Sequence, residues 1–271
     1  MMRTHLARAR SLALSAFVAV AGCASAAAAE LQITVTSGQP AGGFAFSPVW
    51  FGVHDGSYRT FTPGSAASPA LQTAAELGDP SALATAFTGH GSEAVAGSAP
   101  IGPGGSASTI LNVADPTTQQ YLSFASMVVP SNDFFFGNSD PLAFRLFNAA
   151  GQFVSPVTIE IFGASVWDAG SEVNNIAFGA AFIVGDDITD HVAENGVVAA
   201  VFGGSTDNSA YLSSILGKAT PYGYNISHLI SPGDLIATIR IEAVPEPSSV
   251  AMLGAGVLAV GAAAARRWRR S

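Results

Sequence analysis

Leu31-Gln32-Ile33-Thr34-Val35-Thr36 alternates apolar and polar residues without a break. That is the period of a β-strand with one face buried and the other in water. The same rhythm returns at Val157–Phe162, where Thr158 and Glu160 separate apolar neighbours, and at Leu235–Ala243, where Thr238 and Arg240 do so. Ala107–Val113, Tyr121–Val129, Ala177–Val184 and Val197–Phe202 are further expected strands. Gly, Pro, Ser and Asn fill the intervals and supply turns. Many short strands punctuated in this way predict a mostly β fold, an antiparallel β-sandwich. Two short inserted helices are expected as well. Ser68-Pro69 opens one that ends near Leu77-Gly78, and Asp79-Pro80 opens another that reaches Phe87. In each, a capping side chain precedes a proline at the first helical position, where its missing N–H is harmless, and Gly78 can take the left-handed conformation that stops the first. Gly91–Ser106, rich in Gly, Ser, Ala and Pro, reads as a flexible surface loop.

The strands lie between two segments of different character. Arg3, Arg8 and Arg10 precede an apolar stretch, Leu12–Ala21, and small residues continue to Ala29. This is the pattern of a secretory signal peptide over residues 1–29. Cleavage after Ala29 is expected. Val20-Ala21-Gly22-Cys23 offers the alternative, a lipobox in which Cys23 takes a lipid. At the other end Val244-Pro245-Glu246-Pro247 leads into the apolar run Ser248–Ala265 and then Arg266-Arg267-Trp268-Arg269-Arg270. The run is roughly 18 residues, about the minimum for a transmembrane helix. Arginines behind it would hold that end in the cytoplasm. These parts in this order, over residues 244–271, resemble the PEP-CTERM sorting tail of Gram-negative bacteria. That resemblance implies export, an inner-membrane anchor before cleavage, and processing by an exosortase after signal peptidase has acted. It places the mature protein at the cell surface or outside the cell.

Residues 31–244 hold 17 of the 19 acidic residues and 4 of the 11 basic ones, a net charge of −13. Such a surface repels nucleic acid and anionic headgroups and attracts divalent cations. Contact with a membrane is expected only through the tail. Cys23 is the sole cysteine, so an exported domain cut after Ala29 has no disulfide and depends on its core and on ions.

Within residues 30–243, Phe46-Ser47-Pro48, Val53-His54-Asp55, Phe61-Thr62-Pro63-Gly64, Ala67-Ser68-Pro69 and Ala74-Ala75-Glu76-Leu77-Gly78-Asp79 resemble the opening half of the spondin N-terminal domain. Leu122-Ser123-Phe124-Ala125-Ser126-Met127-Val128-Val129-Pro130-Ser131-Asn132-Asp133-Phe134-Phe135 is similar to its most distinctive block, and Trp167-Asp168-Ala169-Gly170-Ser171-Glu172 to its aspartate signature. The resemblance implies an antiparallel sandwich like those of calcium-dependent membrane-binding domains, and a secreted matrix or adhesion role. It also implies a calcium ion on Asp133 and Asp168 with an acidic residue from the preceding strand. Asp115 is the nearest acidic candidate for that place, and Glu172, which stands where the family has aspartate, is a possible supporting ligand.

The chemistry of the two aspartates points the same way without the family. Each follows a strand, where loops gather at one rim of a sandwich. Two carboxylates at one rim repel each other unless a cation joins them, and calcium takes carboxylate, carbonyl and water oxygens. Either aspartate could instead cap its own turn. Asp186-Asp187-Ile188-Thr189-Asp190-His191 lacks the glycine and final glutamate of an EF-hand loop and reads as solvated. His54 reads as a packed, hydrogen-bonded residue. There is no Gly-x-Ser-x-Gly elbow and no His-x-x-x-His, and the mature chain has no cysteine to pair with a histidine. A non-enzymatic, calcium-binding adhesion or matrix component, with exopolysaccharide or a surface protein as its ligand, is therefore expected. The alternative is a secreted hydrolase that uses paired carboxylates on matrix polysaccharide.

Overall fold

The alternating segments become the strands of one sheet. The computed structural model describes residues 28–204 and 206–244. The expected signal peptide with Cys23 lies outside these residues except for its last two positions, and so does the sorting tail from Pro245 onward. Among the described residues no helix is long and apolar enough to cross a membrane. In chain order the elements are β1 (Ala29–Ser37), β2 (Ala45–Phe46), β3 (Val49–His54), α1 (Pro69–Leu77), α2 (Ser81–Phe87), β4 (Gly91–Ala96), β5 (Ser106–Val113), β6 (Tyr121–Val129), β7 (Phe134–Gly137), β8 (Val157–Phe162), β9 (Val166–Asp168), β10 (Ala199–Ala200), α3 (Ser209–Ile215) and β11 (Leu235–Ala243).

One sheet runs β5-β1-β11-β8 and the other β10-β9-β7-β6-β3-β4, with β2 also paired to β6. Every pairing is antiparallel. In the first sheet the period of two keeps one face dry. Ile33 lies between Ile241 and Thr109, and Thr34 between Arg240 and Ser108. Leu31, Ile33 and Val35 are fully buried while Gln32 and Thr36 are exposed. The dry face packs on Phe51, Val53, Leu122, Phe124, Phe134 and Phe136 of the second sheet. The fold is the expected antiparallel β-sandwich with short helices.

The central strands of the second sheet are dry on both faces. Val49-Trp50-Phe51-Gly52-Val53-His54 is buried at every position, and in β6 only Tyr121 is not. A near-continuous apolar run means cover on both sides. The outer cover is α1 and α2, whose Ala74, Leu83 and Phe87 pack on Trp50 and Ala125. α1 starts where the sequence places it: Ser68 Oγ accepts from the Leu71 N–H at 3.2 Å, and Gly78 closes the helix at φ 64°. At α2, Pro80 is itself the cap residue, and Asp79 Oδ1 accepts from the Ser81 N–H at 2.9 Å.

Three expectations are corrected. Gly91–Ser106 is not one flexible loop: its first six residues form β4, paired with β3 from Val49↔Ala96 to His54↔Gly91. Its small residues suit an edge position. Ala177–Val184 is not a strand. It is a turn-rich segment with Phe182 at φ 68°, tied by an isolated bridge from Ala181 to Ser131. Val197–Phe202 contributes only Ala199–Ala200 to a sheet. The helix α3 falls where no element was expected.

His54, at the end of β3, is fully buried. Its Nδ1 accepts from the Gly56 N–H at 2.9 Å, so the neutral ring carries its proton on Nε2 and donates it to Ser123 Oγ at 3.0 Å. Burial lowers its pKa to about 4; Asp55 opposes this and His90 adds to it. Between the unfolded value of about 6.5 and that folded value, the unfolded chain binds the proton and the folded chain does not, so stability falls as pH falls through this window. With allowance for solvent screening, the loss by pH 4.5 is on the order of 2 kcal/mol. Urea unfolding of wild type and His54→Gln at pH 7 and 4.5 isolates this contribution. Equal pH slopes in the two proteins would show that His54 is not held neutral.

Candidate metal centre

The turn between β6 and β7 is built from Pro130-Ser131-Asn132-Asp133. Ser131 Oγ donates to the Val128 carbonyl and accepts from the Phe134 N–H. Asn132 is gripped on all sides. Its N–H donates to Tyr211 Oη at 3.0 Å, its Oδ1 accepts from Tyr211 Oη at 2.7 Å and from the Asn175 N–H at 3.1 Å, and its Nδ2 donates to the Phe178 carbonyl at 2.8 Å. The turn is thus fixed by α3 and by the segment after β9.

The register of β7 and β9 pairs Phe134 with Asp168, and the Ala169 N–H donates to the Asp133 carbonyl at 3.2 Å. Asp133 and Asp168 are therefore neighbours at one rim of the second sheet, as expected. Asp168 reaches that rim by a route the sequence did not show. The chain leaves β8 in the other sheet, crosses through a tight turn at Gly163–Ser165, and ends β9 on Asp168.

Both carboxylates are buried, Asp133 at 0% and Asp168 at 5% exposure. Asp133 Oδ2 accepts from the Ser171 N–H at 2.8 Å, from Ser171 Oγ at 3.1 Å and from the Glu172 N–H at 3.1 Å. Asp133 Oδ1 accepts nothing. Asp168 Oδ1 accepts from the Gly170 N–H and Oδ2 from Asn174 Nδ2, both at 2.8 Å. Asn174 Nδ2 also donates to Asn208 Oδ1 at 3.1 Å, while the buried Asn174 Oδ1 has no partner. Burial, and then the charge of Asp168, push the Asp133 carboxyl well above the usual carboxylate range, and burial raises Asp168 too. Two orphaned acceptor oxygens beside a buried carboxylate pair that resists carrying two negative charges fit a cation, which satisfies the oxygens and neutralises the pair together. An oxygen set of carboxylates and a side-chain amide suits a hard ion such as calcium.

Asp115 does not join them. It lies just ahead of β6, at the end of that strand opposite Asp133. There it closes its own turn, with Oδ1 accepting from Thr117 N–H at 3.0 Å and Oδ2 from Thr118 Oγ1 at 2.9 Å. Glu172 reaches Asp133 through its backbone N–H, and its side chain turns to other partners: Oε2 accepts from Asn132 Nδ2 at 3.4 Å, and Oε1 lies 3.2 Å from His191 Nδ1 without the alignment of a hydrogen bond. The neutral polar partners Asn132, Asn174, Asn208 and Tyr211 were missed. Asp186 and Asp187 behave as a solvated loop's residues do, capping Ala180 and Thr189, while the exposed His191 places Nδ1 against the buried Glu172 carboxylate.

The family model Spondin_N matches residues 37–181, more than half of the chain, and the chain belongs to that family. The matched stretch contains both aspartates and all of the turn that holds Asp133. A model of the PEP-CTERM protein-sorting motif matches residues 243–270, which marks an exported, surface-directed protein handled by exosortase-type sorting machinery. No curated protein matches the chain.

Proposed function

We propose that this protein is a calcium-binding component of the outer cell surface or its exopolysaccharide matrix, acting in adhesion and not as an enzyme. The observation that supports this most is Asp133 Oδ1, a carboxylate oxygen fully buried with no donor while its twin accepts three hydrogen bonds. Asp133 and Asp168 would hold the ion, with Asn174 Oδ1 in the place once considered for Asp115. The ion would supply positive charge that neutralises the pair. The protein's own groups do the rest. Ser171 and Glu172 fix the direction of Asp133, Gly170 and Asn174 that of Asp168, and Asn132 with Tyr211 locks the turn.

The hydrolase alternative is served less well. It needs paired carboxylates facing a cleft, whereas two cavities beside this rim among the described residues are lined by Asn208 and by Gly170 and Ser171 rather than by the carboxylates. The inner-membrane anchor before tail cleavage, and a Gram-negative host, belong to the same proposal.

The cellular test compares strains making wild-type protein or Asp133→Asn/Asp168→Asn at equal surface amounts. The paired variant is expected to lose cell cohesion to the level of wild-type cells treated with a calcium chelator. Cohesion unchanged in the variant would refute the reading.

A further inference from the structure

Glu172 leaves an unexplained group of its own. Its side chain is 1% exposed; Oε2 accepts from Asn132 Nδ2 at 3.4 Å, while Oε1 has no hydrogen-bond partner. A buried glutamate in that condition is expensive unless something cationic sits beside it. What converges on it is a second carboxylate and an imidazole: one ligand atom each from Glu76, Glu172 and His191 lies within 4.8 Å of the others. We propose that Glu76, Glu172 and His191 form a second metal site, for a borderline divalent cation such as zinc, distinct from the aspartate pair.

Donor chemistry separates the two sites. The aspartate rim offers oxygen alone, which suits calcium, while an imidazole nitrogen beside two carboxylates suits zinc. Geometry agrees. Zinc bonds of about 2.0–2.2 Å in a tetrahedron place neighbouring ligand atoms roughly 3.3–3.5 Å apart, and His191 Nδ1 already stands 3.2 Å from Glu172 Oε1. Glu76, on the surface-facing part of α1, is the ligand left to close in by a change of side-chain rotamer. A cavity of about 320 Å³ adjoins the cluster, lined among others by Gln72, Ser171, Glu76 and His191. It leaves room for the water that a three-ligand zinc site keeps.

Such an ion would staple three parts of the chain: α1 through Glu76, the turn after β9 through Glu172, and the 186–196 segment through His191. The two sites stand back to back, because the Glu172 N–H is one of the donors that orient Asp133. His191 lies beyond the residues matched by the family model, while Glu76 and Glu172 lie within them.

The test is zinc binding to purified, metal-free protein, measured by competition with a chromophoric chelator. Wild type is expected to take one zinc per chain. His191→Ala and Glu76→Gln, both at positions with solvent access and each checked for the wild-type circular dichroism spectrum, are each expected to weaken it by at least the roughly 10–100-fold that loss of even a supporting group costs a metal site. Asp133→Asn is expected to bind zinc as wild type does while losing its calcium response. Unchanged zinc affinity in both His191→Ala and Glu76→Gln, no zinc uptake by wild type, or loss of zinc binding in Asp133→Asn would each overturn the proposal.

Discussion

Asp133→Asn is expected to make the metal-free protein more stable and the calcium-loaded protein less stable than wild type. The substitution is isosteric. The amide oxygen can take over the three hydrogen bonds of Oδ2, and the amide nitrogen then replaces the buried Oδ1 that accepts nothing, a donor now standing near the Asp168 carboxylate. It removes a buried charge and supplies the missing donor, worth about 1–2 kcal/mol. It also removes the charge that would attract the ion. Wild type at a calcium concentration 100 times its dissociation constant gains about 2.7 kcal/mol, which for a domain of this size raises the melting temperature by roughly 5–10 °C. The two melting curves should therefore exchange order when calcium is added. A variant that keeps the calcium shift would show that Asp133 is not a ligand. A variant much less stable than wild type without calcium would show that the carboxylate is needed for the fold itself.

Trp50→Ala is expected to cost the domain about 3–5 kcal/mol. Trp50 is fully buried on the outer face of the second sheet, where it meets Phe87 edge-on at 5.1 Å and Tyr58 at 5.9 Å, and its Nε1 donates to Glu93 Oε2 at 2.7 Å. It packs α2 on β3 and adds a side-chain bond to the backbone ladder between β3 and β4. Gly52, two residues on along the same face, shows how tightly it fits: a Cβ there would come within 2.7 Å of the Trp50 ring and 2.9 Å of Phe87. The cavity left by alanine cannot be refilled by these rings without moving the helix. Chemical denaturation measures the loss, and a value under about 1 kcal/mol would mean that the helical layer is not packed on the sheet in this way.

The strands that could be read directly, such as β1, β8 and β11, are those with one wet face, because water imposes the alternation. β6 was legible for the opposite reason: it is apolar throughout and bounded by turn residues. β4 was not. Gly91-Ser92-Glu93-Ala94-Val95-Ala96 has no apolar period, and only its pairing with β3 makes it a strand. The apolar stretch 177–184 misled because its conformation is set from elsewhere, by Asn132 and Asp186 holding its backbone. The site shows the same division. Asp133 and Asp168 were singled out by the spondin-like motifs around them and by their places after expected strands. Asn174 and Asn208 carry no charge and reach the pair through the fold alone. Asp115 was suggested by its place in the chain, and the direction of β6 removes it. The direction in which Glu172 points is decided by α1 and the 186–196 segment, neither adjacent to it in sequence.

Titration calorimetry of calcium into the purified, metal-free protein addresses the aspartate pair most directly. Saturable uptake of one calcium ion per chain, abolished in Asp133→Asn/Asp168→Asn while the variant remains folded, is the expected result. Indistinguishable heats from wild type and variant would contradict it.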